Sequence, residues 1–127
     1  MEDTKRVAGM LQLTELIMQK AQADLATILA RENALRKNLQ QLVVQKPKAS
    51  SLDPAYAIIR GDVRWQQWVD QRQTVINAEL AQVLALKENA NAQLQQSHGR
   101  HQAVTAMHKK LAMYKRQNEN RRISYES

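Results

Sequence analysis

Between residues 4 and 46 the apolar side chains recur at alternating steps of four and three. The series is Val7, Leu11, Thr14, Met18, Ala21, Leu25, Ile28, Glu32, Leu35, Leu39 and Leu42, and nine of its eleven members are apolar. A repeat averaging 3.5 residues places these side chains in one narrow stripe, which is a coiled-coil seam rather than the wide face of a globular helix. No proline precedes Pro47, and the only glycine in the stretch is Gly9. The pattern predicts one helix over 4–46, a rod of about 65 Å, with Asp3 or Thr4 as its N-cap. Thr14 and Glu32 interrupt the apolar series. Glu32 is expected as a solvated or cross-paired residue that sets register.

Residues 47–53 gather proline and serine and form the break. Pro47 disfavours helix at Lys46. Asp53-Pro54 is a restart signal, with aspartate as N-cap and proline at the first helical position. Residues 54–60 read as a short helix, and Gly61 offers a bend before a pattern that runs to about 122. A connection this short implies antiparallel neighbours. Val69, Ile76, Leu80, Val83, Ala90, Leu94, Val104 and Leu111 form the second seam, with Leu84 and Leu86 widening it. Over residues 95–101 the seam positions are Ser97 and His101, and Gly99 lowers helix propensity. That stretch predicts a weak point in a continuing helix. The expected fold is all-α: one domain, a long antiparallel two-helix hairpin with the second helix longer. With the chain folding back near residue 50, Thr4 falls opposite residue 96. Residues 100–122 then project as a single basic helix, and 123–127 fray.

The composition suits a thin seam and not a thick core. Phe is absent, while 17 Ala and 16 Gln favour helix. With no cysteine, disulfides and thiolate chemistry are excluded. The start, acidic before it is basic, reads as neither a signal peptide nor a membrane span, and a cytoplasmic setting is the expectation. The formal charge of +7 is uneven: residues 98–127 carry seven Lys/Arg against two Glu.

The candidates for chemistry are few. His98, His101 and His108 can share a helical face, but carboxylates and further ligands for a zinc site are missing nearby. Solvated or cross-helix histidines are the simpler reading, and no metal or cofactor is expected. Phosphate loops and nucleophile turns need glycines that this chain lacks. The chain therefore reads as a non-enzyme. Lys109, Lys110, Lys115, Arg116, Arg121 and Arg122 suit either phosphates or an acidic protein surface. Only Tyr114 and Tyr125 accompany them for stacking. Val104, Met107, Leu111 and Tyr114 share a face and suggest a docking stripe. Trp65 and Trp68, three apart, form a dense patch with Val69, Arg72 and Ile76. The indoles can cap the seam against Leu39, Leu42 and Val43, yet a two-helix rod cannot easily bury both, so at least one is expected at the surface.

The layout, with Arg64-Trp65-Gln66-Gln67-Trp68-Val69 and Ile76-Asn77-Ala78-Glu79-Leu80 opening the second helix, resembles the FliJ/YscO family, the stalk proteins of flagellar and type III secretion export. The resemblance implies a hairpin similar to the rotor stalk of rotary ATPases. Its two chain ends would enter a hexameric export ATPase, and its early second helix would meet a membrane-embedded export gate. On that reading the ATPase contacts are Val7, Leu11, Val104, Met107, Lys109, Lys110, Leu111, Tyr114, Lys115 and Arg116. The gate contacts are Trp65, Trp68, Val69, Arg72 and Ile76. The tandem tryptophan without any phenylalanine departs from the family pattern and leaves the gate residues open. Two other classes fit the same features: a helical-hairpin adaptor or chaperone, and a basic DNA-binding coiled coil.

Overall fold

The computed structural model describes residues 2–45 and 61–126. They form two helices, α1 (Glu2–Gln45) and α2 (Asp62–Glu126), of 44 and 65 residues. No strand occurs among the described residues. The chain is an all-α helical hairpin with a longer second helix. As α1 advances from Thr14 to Met18, its contacts on α2 retreat from His101 to His98, the mark of an antiparallel pair. Glu2 and Asp3 lie in the first turn of α1, where negative charge suits the exposed amides. The helix thus begins before Asp3, and neither Asp3 nor Thr4 stands outside it as a cap. The break at 47–53, the Asp53-Pro54 restart and the short helix at 54–60 lie outside the described residues.

The three-four seam is realised on both helices. All eleven α1 positions are buried or half-buried, and so are the eight of α2. The same steps on α2 also bring Gln73, Lys87, Ser97, His101 and His108 inward. Leu84 and Leu86 do not widen the seam; they are exposed, because a two-helix interface buries only the positions that face the partner. Gly99 does not interrupt α2, and residues 123–126 continue the helix.

The packing divides into two units, Ala26–Asn89 and Met1–Leu25 with Ala90–Ser127. Contacts along a narrow seam are local, so each unit packs within itself. The first unit centres on Leu35, Leu42, Ile76 and Val83, with Ile28, Leu39 and Leu80 packed against them. Val83 is the most deeply buried, 1% exposed. The second unit buries Val7, Ala21, Ala90 and Val104.

The register differs from equal counting about residue 50. The position midway between Thr14 and His101 is 57–58, and midway between Glu32 and Lys87 it is 59–60. Pairing therefore extends further along α2 than expected: Leu111 is half-buried, and only residues 112–126 are continuously exposed. The unpaired basic helix begins near 112, not near 100.

Candidate interaction surfaces

Both units carry polar side chains in the seam, and these are held differently. In the Ala26–Asn89 unit Glu32 is 6% exposed. Its carboxylate accepts from Lys87 Nζ at 3.1 Å across the seam and from Arg36 Nη2 at 3.1 Å along α1. The hydrogen bonds from Lys87 and then Arg36 hold the Glu32 carboxyl below its ordinary range, against the opposing effect of burial. An acid at a seam position is thereby matched to one cation on the other helix, which disfavours slipped registers. Lys87 was legible only by continuing the steps from Val83 by four.

In the other unit the polar seam positions are Thr14, Ser97, His101 and His108. The Thr14 hydroxyl donates to the Leu11 carbonyl at 3.1 Å, so His101 Nδ1–H is the donor in the 3.0 Å contact with Thr14 Oγ1. Ser97 donates back to the Gln93 carbonyl at 2.8 Å, and Thr105 to that of His101 at 2.8 Å. His98 Nδ1 lies 3.4 Å from Met18 Sδ. These bonds explain how α2 passes through 95–101 without apolar seam residues: its polar side chains are satisfied locally or across the seam. His108 Nδ1 is buried with no hydrogen-bond partner among the described residues. His98 and His101 are separately engaged, and no cluster of metal-ligating residues occurs among the described residues.

The tryptophan patch divides in two. Trp65 and Trp68 stack with ring centroids 5.2 Å apart and planes inclined by 28°. Trp68 is 47% exposed, whereas the Trp65 indole N–H is buried without a partner among the described residues. Val69 and Ile76 are each 3% exposed. They belong to the seam and are not available to a partner while the helices are paired, so the candidate patch shrinks to its outer members. Arg72 stays exposed and borders a shallow groove with Asn38, Gln41, Leu42 and Ile76. Val75, exposed and seven residues after Trp68, extends the patch. It was missed because nothing in its residue type separates it from seam valines; only the phase of the repeat does. Val43 as a support for the indoles lies outside the described side chains.

Of the residues expected to meet an ATPase, Val7 and Val104 are 6% exposed and Leu11 and Leu111 half-buried. They hold the paired ends together. Met107, Lys109, Lys110, Tyr114, Lys115 and Arg116 are exposed. Met10, not singled out from sequence, joins Val7, Met107 and Leu111 around an open, largely apolar groove of about 440 Å³ that Asp3, Arg6 and Lys110 also line. Further along α1, Leu13, Leu16 and Ile17 are exposed as well. The stripe proposed as Val104, Met107, Leu111 and Tyr114 is therefore half seam and half surface. No described helix is long and apolar enough to cross a membrane. No protein-family model, curated protein or solved structure matches the chain.

Proposed function

We infer that the chain is a non-enzymatic stalk or coupling component of a flagellar or type III protein export ATPase complex, working in the cytoplasm. The observation that carries this reading is the end of α2. After Leu111 it runs four turns exposed throughout and rich in Lys and Arg, with no described residue of α1 covering it. Such an element suits insertion into another assembly by contacts that are electrostatic and weak enough to turn. The stacked tryptophans, with Trp68 open to solvent, support a separate contact with a membrane-embedded export gate through Trp68, Arg72 and Val75. The inference to a stalk is by analogy of layout, and the site residues are this chain's own.

The test is to mix the protein with a hexameric export ATPase and follow hydrolysis and hexamer formation. Both should rise, and truncation after Leu111 should abolish the effect. No change in either, with truncation leaving every interaction intact, would remove the reading. Replacing Trp65 and Trp68 together by alanine should impair gate binding while helicity persists. A second reading, an adaptor that offers its flanks to other helices, is favoured by the exposed Met10, Leu13, Leu16 and Ile17. It predicts binding to helical partners that survives removal of residues 112–127.

A further inference from the structure

The seam register of α2 continues past Leu111, but its chemistry changes. Steps of four and three from Val104, His108 and Leu111 lead to Lys115, Asn118, Arg122 and Tyr125. These residues lie on the face of the unpaired helix that, one turn earlier, packs against α1, and all four are exposed. Tyr114 and Arg121 flank the face on one side. Both acids of this stretch, Glu119 and Glu126, fall on the other flank. The Arg122–Glu126 contact, 3.7 Å between largely exposed side chains, is too open to neutralise the face. On the Tyr114 flank the face leads into the groove of Val7, Met10, Met107 and Leu111. Arg6 and Lys110 also line it, and Asp3 is its single acid. Met10 and Met107 are 44% and 47% exposed.

We propose that this groove and the adjoining face of α2 take an amphipathic helix from an acidic partner protein. The partner's apolar stripe covers Met10, Met107 and Tyr114. Carboxylates flanking that stripe meet Lys110, Lys115 and Arg121. Charge complementarity selects this occupant: Arg6, Lys110, Lys115 and Arg121 adjoin the apolar surface against one acid, Asp3, while Glu119 and Glu126 fall on the other flank. A second copy of the chain would set the same cations against one another at a net charge of +7 each. A nucleic acid would neutralise the cations but leave the methionines uncovered. The proposal deepens the stalk reading and rests on it only for the partner's identity.

The probe is a synthetic amphipathic peptide of about 20 residues, long enough to be helical, with one leucine stripe flanked by glutamates. A second peptide carries lysine at the flanking positions, and a random-sequence DNA duplex is the third ligand. Binding to the full chain is read by fluorescence anisotropy. The glutamate peptide should bind and the lysine peptide should not. Met107→Ser with Tyr114→Ser should weaken binding by about tenfold or more. Lys115→Glu should do the same. Lys5→Glu, an equal change of net charge on the outer side of α1, should weaken it by less than about threefold, since it acts only through screened long-range attraction. All these positions are exposed, and circular dichroism checks that each variant remains helical. The proposal is overturned if both peptides bind alike, if Lys5→Glu matches Lys115→Glu, or if DNA competes and the Met107/Tyr114 double variant is without effect. Peptide binding alongside an inert export ATPase sinks the stalk reading and keeps the docking face. The converse result keeps the stalk and removes the acidic helix.

Discussion

Between residues 26 and 89 the seam is closed by Leu35, Leu42, Ile76 and Val83. In the unit that holds both chain ends, the same register carries Thr14, Ala21, Ala90, Ser97, His101 and His108. Both units use one geometry, yet the first fills it mostly with branched aliphatic side chains, whereas the second interleaves Val7, Leu11, Leu94, Val104 and Leu111 with these small or polar ones. Apolar area removed from water is the main favourable term in folding, so the units should differ in firmness. The contrast also matches their proposed roles. A unit that must accept another protein at its open end gains from a seam that is satisfied but not deeply packed, because local opening is then less costly.

The largest effect expected is from the aliphatic core. Ile76→Ala should cost about 3 kcal/mol, as buried aliphatic truncations do. Val83→Ala should cost about twice as much as Val104→Ala, since Val83 packs in the cluster of Leu35, Leu42 and Ile76 and Val104 lies outside it. Urea denaturation compares the two, and equal losses would end the contrast. In native-state hydrogen exchange, amides near Ile76 and Val83 should be the slowest and those near residues 97–108 faster.

Next is the charged layer. The Glu32 carboxyl titrates lower in the folded chain than in the unfolded one. Its stabilisation is therefore fully present above the unfolded carboxylate range, and it fades as pH falls through the lowered folded value. Wild type and Glu32→Gln should differ in Tm at neutral pH and converge in acid. Glu32→Leu together with Lys87→Leu should leave stability unchanged or raise it but loosen register, seen as extra species in crosslinking between α1 and α2. A Tm difference that persists unchanged into acid would deny the carboxylate its role.

The Thr14–His101 contact is tested as a pair. Replacing Thr14 by Val and His101 by Leu together removes both partners of one hydrogen bond. It should leave stability unchanged or raise it by about 1 kcal/mol, while either change alone is less favourable. The double-mutant cycle measures the coupling, and additive single effects would show that the contact contributes nothing.

The smallest expected effects also fall in the unit holding the chain ends. An added Cβ at Gly9 or Gly99 meets nothing within 4 Å. Gly9→Ala and Gly99→Ala should each stabilise the helices by about 0.5–1 kcal/mol. Thermal melts of the two variants would narrow the gap between the units. A loss of partner binding in the stabilised double variant would sharpen it, by showing that softness at this end is used.

Much of the fold was legible because a coiled-coil seam is a local code. The spacing Val7 to Leu42 and Val69 to Leu111 predicts two helices and the side chains that meet. The candidate surfaces were less legible. Val69 and Ile76 share a helical face with the tryptophans in any list of spacings, and only the phase of the seam separates them from exposed Trp68, Arg72 and Val75. Met10 joins Met107 only once the register brings α1 and α2 together.

The sequence by itself determined that two long helices pair through a narrow seam, and that positive charge gathers near the C-terminal end. Period and composition act within each helix, so they can be read without knowing its partner. The tertiary structure alone decided the register: Glu32 against Lys87, Thr14 against His101, and pairing carried on to Leu111. Register is set by which cross-helix pairs are jointly satisfied. That is a property of two segments some 55 to 87 residues apart, which no local pattern encodes.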